Sequence, residues 1–459
     1  ASGQAGNDGG DHVVGRMFQW VAASPPRVLV FGFAAIIALG TALLKLPVMA
    51  ADGRPTPLID ALFTAVSAVC VTGLTPLDFA GHWSFAGQLT VLVLVQIGGL
   101  GFMTLATMAA IVLRRRITLR ERIILQESFN QAGIEGVVRL VLKVIRYTLM
   151  LEAAGAAILT IRFLMDMPPA RAVWSGVFHA VSFFNGAGFD LMGGFRSLTG
   201  YVGDPIVTFT AAFLILSGGL GIVVLSDLAE YRKTKRLSLH SKVVIAASGF
   251  LILVGTVAIF LFEYTNRATL GGLGFGEKLM AAFFQAVVPR SSGVSSLDIG
   301  ALRQATQFLI VILMFIGASP GSAGGGIKTT TFAVLAGAVW SMIRGREDVV
   351  MFRYRLAQER VYKALTITMF ALAVLAAGTM LLSVTEDRHF LMILFEAASA
   401  LGTVGLSMGL TPELSPSGKI IVMLLMFVGR LGPLTLAYAL GTRQKRTLYR
   451  YAEGKIIIG

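Results

Sequence analysis

Charge is scarce in this sequence. Only 14% of its 459 residues are Asp, Glu, Lys or Arg, against about 25% in soluble domains. A soluble chain of this length forms two or three domains with polar surfaces, and the polar residues to cover them are missing. Cysteine is nearly absent: Cys70 stands alone, which excludes an internal disulfide and a cysteine-built zinc cluster. No nucleophile-and-base pair and no phosphate loop stands out, so the chain is not read as an enzyme. The opening residues, Ala1–Gly10, are polar and glycine-rich. They lack the basic start and apolar run of a signal peptide, and residues 1–24 are read as a disordered tail.

What is present is apolar. Hydrophobic residues make up 55% of the chain, and the mean hydropathy is +0.76. Eight runs reach the roughly 20 residues that a bilayer crossing needs: Val28–Met49, Leu89–Leu113, Leu140–Met165, Val207–Leu228, Val243–Phe262, Phe308–Met342, Ala364–Val384 and Ile420–Leu440. Between the members of each pair lies a shorter apolar stretch: Leu58–Cys70, Ala172–Phe184, Lys278–Val288 and Phe390–Ala400. Each ends at a glycine-bearing turn, as a loop that enters and leaves the membrane on one side would. The expected fold is an all-α polytopic membrane protein. It has eight transmembrane helices in four pseudo-symmetric repeats of span, re-entrant pore helix with its loop, and span. The repeats are placed at residues 25–122, 123–240, 241–358 and 359–441, with a cytoplasmic tail over 442–459.

Two marks recur in each unit and support the repeat. The loop ends read Val71-Thr72-Gly73-Leu74, Gly186-Ala187-Gly188-Phe189, Ser291-Ser292-Gly293-Val294 and Thr403-Val404-Gly405-Leu406. The second spans carry Gly98-Gly99-Leu100-Gly101, Gly218-Gly219-Leu220-Gly221 and Gly429-Arg430-Leu431-Gly432. The formal net charge is +14, which in a soluble protein would point to nucleic acid. Here the basic residues cluster after the second spans, near Arg114, Arg232, Arg344 and Arg443. That pattern places both termini on the cytoplasmic side and opens the four loops outward, with the lipid bilayer and not nucleic acid as the partner. Trp20 and Trp83 are read as interfacial anchors.

A cation leaves water only where other oxygens replace its hydration shell, and backbone carbonyls at a loop mouth can do so. Glycine supplies the dihedrals that turn such a loop. The candidate selectivity filter is Cys70, Val71, Thr72 and Gly73; Asn185, Gly186, Ala187 and Gly188; Arg290, Ser291, Ser292 and Gly293; and Gly402, Thr403, Val404 and Gly405. In any single loop the glycine could simply end a helix; four matching copies favour a four-walled ring. An acid follows each loop, at Asp78, Asp190, Asp298 and Glu413. These acids either line an outer vestibule that concentrates cations or are ordinary solvated residues.

The third repeat differs in its second span. Gly317, Ala318, Ser319, Pro320, Gly321, Ser322, Ala323, Gly324, Gly325 and Gly326 interrupt it, followed by Lys328. Glycine at about 1 kcal/mol and proline at about 3 kcal/mol against alanine make this run a poor helix. A loop just below a filter would make a gate; the plainer alternative is a connector between short helices. Arg430 sits inside the last span, where it either sets a barrier to the cation or snorkels to the interface. The GGLG runs are read as close-packing sites, His179 as a packed or hydrogen-bonded residue, and Cys70 as a source of a carbonyl.

With IDALFTAVSAVCVTGL, VFHAVSFFNGAGF, FFQAVVPRSSGV, FEAASALGTVGLSMGLTPEL and FVGRLGPLTL, the chain resembles the membrane subunits of Ktr potassium uptake systems, in the Trk/Ktr/HKT superfamily. The similarity runs from about Pro25 to the last residue. The chain enters its first repeat almost at once, like Ktr subunits and unlike Trk subunits with two extra leading spans. The resemblance implies K+ as the permeant ion, and often sodium dependence, with Na+ as activator. It implies a homodimer with one pore per protomer in the cell membrane. It also implies a cytoplasmic KtrA-type regulatory ring that alone binds nucleotide. In that family the intramembrane loop of the third repeat gates, and the arginine matching Arg430 adds to the barrier. Two departures stand out. Ser291-Ser292 and Val294 flank the third glycine where relatives often have Thr-Ala and Phe, and Gly186 stands where a second asparagine is common. Gly73 argues for potassium, since a serine there accompanies sodium transport in plant relatives. The rivals are a sodium-permeable or sodium-coupled member of the same superfamily, and a secondary transporter of an organic solute.

Overall fold

The structure is a computed structural model and describes residues 25–101, 104, 123 and 137–432. Helices dominate. In chain order the first group is α1 (Pro25–Leu44), α2 (Leu58–Val69) and α3 (Phe85–Leu100). The second is α4 (Val137–Phe163), α5 (Pro169–Asn185), α6 (Pro205–Leu220) and α7 (Ile222–Thr234). The third is α8 (Leu239–Glu263), α9 (Phe275–Val287), α10 (Gln304–Ile316) and α11 (Thr329–Ile343). The fourth is α12 (Gln358–Thr385), α13 (Phe390–Gly402) and α14 (Pro416–Leu431). One hairpin interrupts the helical pattern, β1 (Val350–Met351) paired antiparallel with β2 (Tyr354–Arg355). Its turn residues Phe352 and Arg353 both have positive φ, as a two-residue hairpin turn requires.

Local chemistry sets the helix starts. Ser84, Asp204, Ser238 and Ser415 each accept a backbone N–H in the first turn of α3, α6, α8 and α14. These caps satisfy donors that the helix cannot. The short helices α2, α5, α9 and α13 form the centre. Phe63, Phe178, Phe183, Phe284 and Phe395 on them are all at most 1% exposed. The long helices face outward and carry exposed apolar side chains such as Leu253, Leu261 and Met380. Apolar side chains exposed around helices whose backbone bonds are satisfied internally are the pattern of a protein in lipid.

Among the described residues, four helices, α1, α4, α8 and α12, are long and apolar enough to cross a membrane alone; α6 and α7 pass as a pair bent by 103°. The partners α3, α6 and α14 have 16 residues each and α10 has 13. Sixteen residues extend about 24 Å, less than the hydrocarbon core of about 30 Å. The cause is a glycine at each end. Gly101, Gly221, Gly317 and Gly432 have φ of 79°, 84°, 69° and 82°, which closes the helix. The run expected at Val207–Leu228 is therefore broken at Gly221, and that at Phe308–Met342 at Gly317. The runs expected at Leu89–Leu113 and Ile420–Leu440 reach Gly101 and Gly432 and continue outside the described residues.

The other glycines of the GGLG runs do pack closely. A Cβ at Gly98, Gly218 or Gly429 would meet the carbonyl of Val69, Phe184 or Leu401, each in the last turn of the short helix of the same group. The second helix thus abuts the end of the short one. Trp83 corrects the expectation of an interfacial anchor. It is 1% exposed and stacks edge-on against His82 with centroids 4.8 Å apart, because its loop folds back against Ala50. Trp20 lies outside the described residues.

Candidate ion pathway

The four glycine loops meet. A Cβ built on Gly73 would strike the carbonyl oxygen of Ala187 and the Cα of Gly188. One on Gly188 would strike Gly293, one on Gly293 would strike Gly405, and one on Gly405 would strike the carbonyl oxygen of Thr72. Loop one therefore touches loop two, two touches three, three touches four, and four returns to one. The ring is closed and leaves no room for a side chain at any of its four glycines.

The loops leave their helices in similar ways. Thr72, Ala187 and Val404 donate their N–H groups to Ser67, Ser182 and Ser399 carbonyls at 2.8, 2.8 and 2.9 Å. The hydroxyls of Ser67 and Ser399 accept from the N–H of Gly73 and Gly405, both at 3.0 Å, while Ser182 donates to the Phe189 carbonyl at 2.7 Å. Val71, Gly186 and Thr403 take the left-handed conformation, with φ of 56°, 74° and 46°. Donors on these loops are thus consumed inward. Among the described residues, no hydrogen bond reaches the carbonyl oxygens of residues 71–73, 186–188, 291–293 or 403–405. The hydroxyls of Thr72, Ser292 and Thr403 are buried without a partner as well. Unmatched buried acceptors cost about 1–3 kcal/mol each, and a ring of them suits a dehydrated cation.

The third wall is different. Pro289 continues α9 as a tight turn over Val288–Arg290, and Ser291 has φ −165° in place of the left-handed value. Val287 stands where the other loops have the bracing serine. Arg290 is buried and sends its guanidinium to Ser248 on α8 at 2.8 Å, so it offers the ring only its backbone. Cys70 is buried with a free thiol, and Gly402 is the last residue of α13.

His179 is packed and hydrogen-bonded as the sequence suggested, but sequence reasoning missed Gln285 and Glu396, which join it as braces behind the ring. Each of three short helices carries a buried polar side chain that holds the strand leaving the ring. His179 accepts from the Leu191 N–H at 3.2 Å, Gln285 from the Ser295 hydroxyl at 3.0 Å, and Glu396 from Ser407 at 2.8 Å and from Thr411. The available signal was position. His179 and Glu396 each stand nine residues before the ring glycine, and Gln285 eight.

The acids beyond the ring separate into types. Asp78 and Asp190 lie near each other; Asp78 accepts from Gly194 N–H and Asp190 from Met192 N–H, both at 2.9 Å. Asp298 is exposed and caps a turn at Gly300. Glu413 forms a half-exposed ion pair with Arg388 at 2.6 Å. Burial pushes the Asp190 carboxyl up from 3.8 to about 6; the Met192 N–H opposes this and the Asp78 charge adds to it. The folded state therefore loses stability as pH rises from 3.8 to about 6, and Asp190 becomes negative only above that window. Lowering pH through about 6 on the side that Asp190 faces is expected to weaken apparent affinity for the entering cation. Asp190→Asn should abolish that dependence; an unchanged pH profile in the variant removes Asp190 from the vestibule.

Beneath the ring lies a cavity of about 330 Å³. The segment from Gly317 to Lys328 crosses it. A Cβ at Gly324 would meet the Ser291 side chain, and one at Gly325 would meet Thr403, so the segment lies directly under walls three and four. Ser319 N–H donates to Gly219 O at 3.0 Å, Ile222 N–H to Gly321 O at 3.3 Å, and the Ser319 and Thr329 hydroxyls are 2.9 Å apart. Lys328 donates to the Gly324 carbonyl. Arg430 donates to the carbonyls of Ala323 in the segment and Gly98 at the end of α3. It lines the cavity together with Pro320, Ser322, Gly326 and Lys328.

Apolar helices around a closed ring of unengaged carbonyls define a multi-pass membrane protein built to move a cation. The sequence model of the TrkH family, described as a cation transport protein, matches residues 33–444, and the chain belongs to that family. It is 40% identical to the Ktr system potassium uptake protein B of Bacillus subtilis over 444 residues, covering 97% of this chain and 99% of that one. It is 38% identical to the potassium/sodium uptake protein NtpJ of Enterococcus hirae, covering 95% and 97%. The crystal structure of the potassium transporter TrkH from Vibrio parahaemolyticus superposes with a TM-score of 0.70 at 19% identity, covering 89% of this chain and 84% of that one, and shares the fold.

Proposed function

We propose that this chain is the ion-translocating subunit of a potassium uptake system. K+ passes through the four-walled carbonyl ring, driven by the membrane potential, in a protein of eight spans arranged as four repeats. The segment Gly317–Gly326, with Lys328 and Arg430, is the gate. The closed ring, whose carbonyls meet no donor among the described residues, carries this reading. A Ktr-named relative of nearly equal length supports potassium as the ion. We further propose a homodimer in the cell membrane under a nucleotide-binding cytoplasmic ring, with Na+ as activator, on the resemblance drawn from the sequence motifs, and both termini cytoplasmic, on the placement of Lys and Arg after the second spans.

The second reading is combined potassium and sodium uptake. The relative NtpJ bears that description, and the distinct backbone of the third wall favours a less strict ring. Purified protein in liposomes decides between the two. K+ and Rb+ flux with little Na+ flux is expected; comparable Na+ and K+ flux supports the second reading, and no cation flux overturns both.

A further inference from the structure

Glu152 is a buried acid for which the pathway has so far given no use. It lies on α4 and is 6% exposed, and among the described residues it has no ion-pair partner. Both its oxygens are held by amides: Oε1 by Asn185 Nδ2 at 2.9 Å and Oε2 by Gln96 Nε2 at 3.4 Å. Gln96 in turn accepts from Asn185 Nδ2 at 3.0 Å, and the Val181 carbonyl accepts from it at 2.9 Å. Three helices, α3, α4 and α5, thus combine to hold one amide nitrogen. Its residue, Asn185, is the one just before Gly186 in the second wall.

The other end of that amide is open. Asn185 Oδ1 accepts no hydrogen bond among the described residues. It faces Gly99, where a Cβ would meet it. Asn185 and Gly99 both line the cavity under the ring, along with Arg430. A carboxylate buried without a cation is costly, and in a membrane protein such a group marks an ion route. An amide oxygen is a hard, neutral ligand of the kind that K+ and Na+ take. Its nitrogen must then point away, because a flipped amide would present two N–H donors to the cation.

We propose that Glu152 is a specificity-determining positioning residue, and that Asn185 Oδ1 is a cation ligand at the inner end of the ring. Glu152 and Gln96 accept from the Asn185 nitrogen and so fix which end of the amide meets the ion. Gly99 keeps the space that the oxygen occupies. This inference rests on the reading of the ring as a cation filter.

The test uses the full chain in liposomes, with half-saturating K+ and the K+ to Na+ flux ratio as readouts. Glu152→Gln keeps the shape but removes the charge and lets the amide turn. It should raise half-saturating K+ about tenfold, equivalent to about 1.4 kcal/mol, and lower the K+ to Na+ ratio. Glu152→Asp should restore part of both. Gly99→Ala should shift both readouts in the same direction by displacing the oxygen. If Glu152→Gln inserts normally and keeps both values, or changes only the amount of protein inserted, the proposal fails. If Glu152→Gln does not fold, Gly99→Ala and Asn185→Ala decide, and wild-type values in both overturn it. Absence of K+ flux through the wild-type protein would instead defeat the filter reading itself.

Discussion

Gly73→Ser is expected to reduce K+ to Na+ discrimination by about tenfold or more. Gly73 sits at φ 94°, where a side chain is strained, at a cost of about 1–2 kcal/mol. The larger effect is steric. The added Cβ would meet the Ala187 carbonyl oxygen and Gly188 across the ring, both of which are backbone and cannot move aside alone. Walls one and two must therefore separate, and every carbonyl in the ring changes its distance to the ion. Gly409→Ala provides the control. Gly409 has φ 90° but nothing within 4 Å of a Cβ, so it carries the backbone strain without the collision. Reversal potentials in liposomes under opposed K+ and Na+ gradients should shift strongly for Gly73→Ser and little for Gly409→Ala. Equal shifts, or none for Gly73→Ser, would detach selectivity from the ring.

The second large effect is expected at the proposed gate. Arg430→Ala removes the donor to Ala323 and to Gly98. Hydrogen bonds from a charged donor are worth about 1.5–3 kcal/mol each, so basal flux without a regulatory partner should rise about tenfold or more. Losing a positive charge beside the cavity acts in the same direction. Deleting Gly321–Gly324 should also raise basal flux, because the residue under wall three is removed and the shortened segment draws Gly325 away from wall four. If both changes act on one barrier, the double variant gains less than the sum of the two free energies. A shortened loop with normal insertion and unchanged basal flux would reduce this stretch to a connector.

The four short helices were legible in the sequence to within a few residues, because each is an apolar run closed by a glycine or proline. The loop residues were legible by repetition, and the structure brings all four loops together. The ends of the second helices were not. Gly101, Gly221 and Gly432 lie in apolar surroundings where a hydropathy window runs on, and only backbone dihedrals show that they stop the helix. Nor was Glu152 legible. A single acid in an apolar run carries no periodic signal, and its partners Gln96 and Asn185 lie 56 and 33 residues away. The pairing of Glu413 was not legible for a related reason, since its partner Arg388 belongs to the loop before α13 and pairing cannot be read from spacing.

The irregular third wall has a consequence for how such a pore can change. A channel assembled from identical subunits repeats every mutation around its axis, so a substitution is suffered four times or not at all. Here each quadrant is encoded separately. Pro289 and Ser291 already give one quadrant its own backbone while the other three keep the left-handed turn. Ion preference can therefore drift by quarter steps, with three conserved walls preserving conduction while the fourth is remodelled.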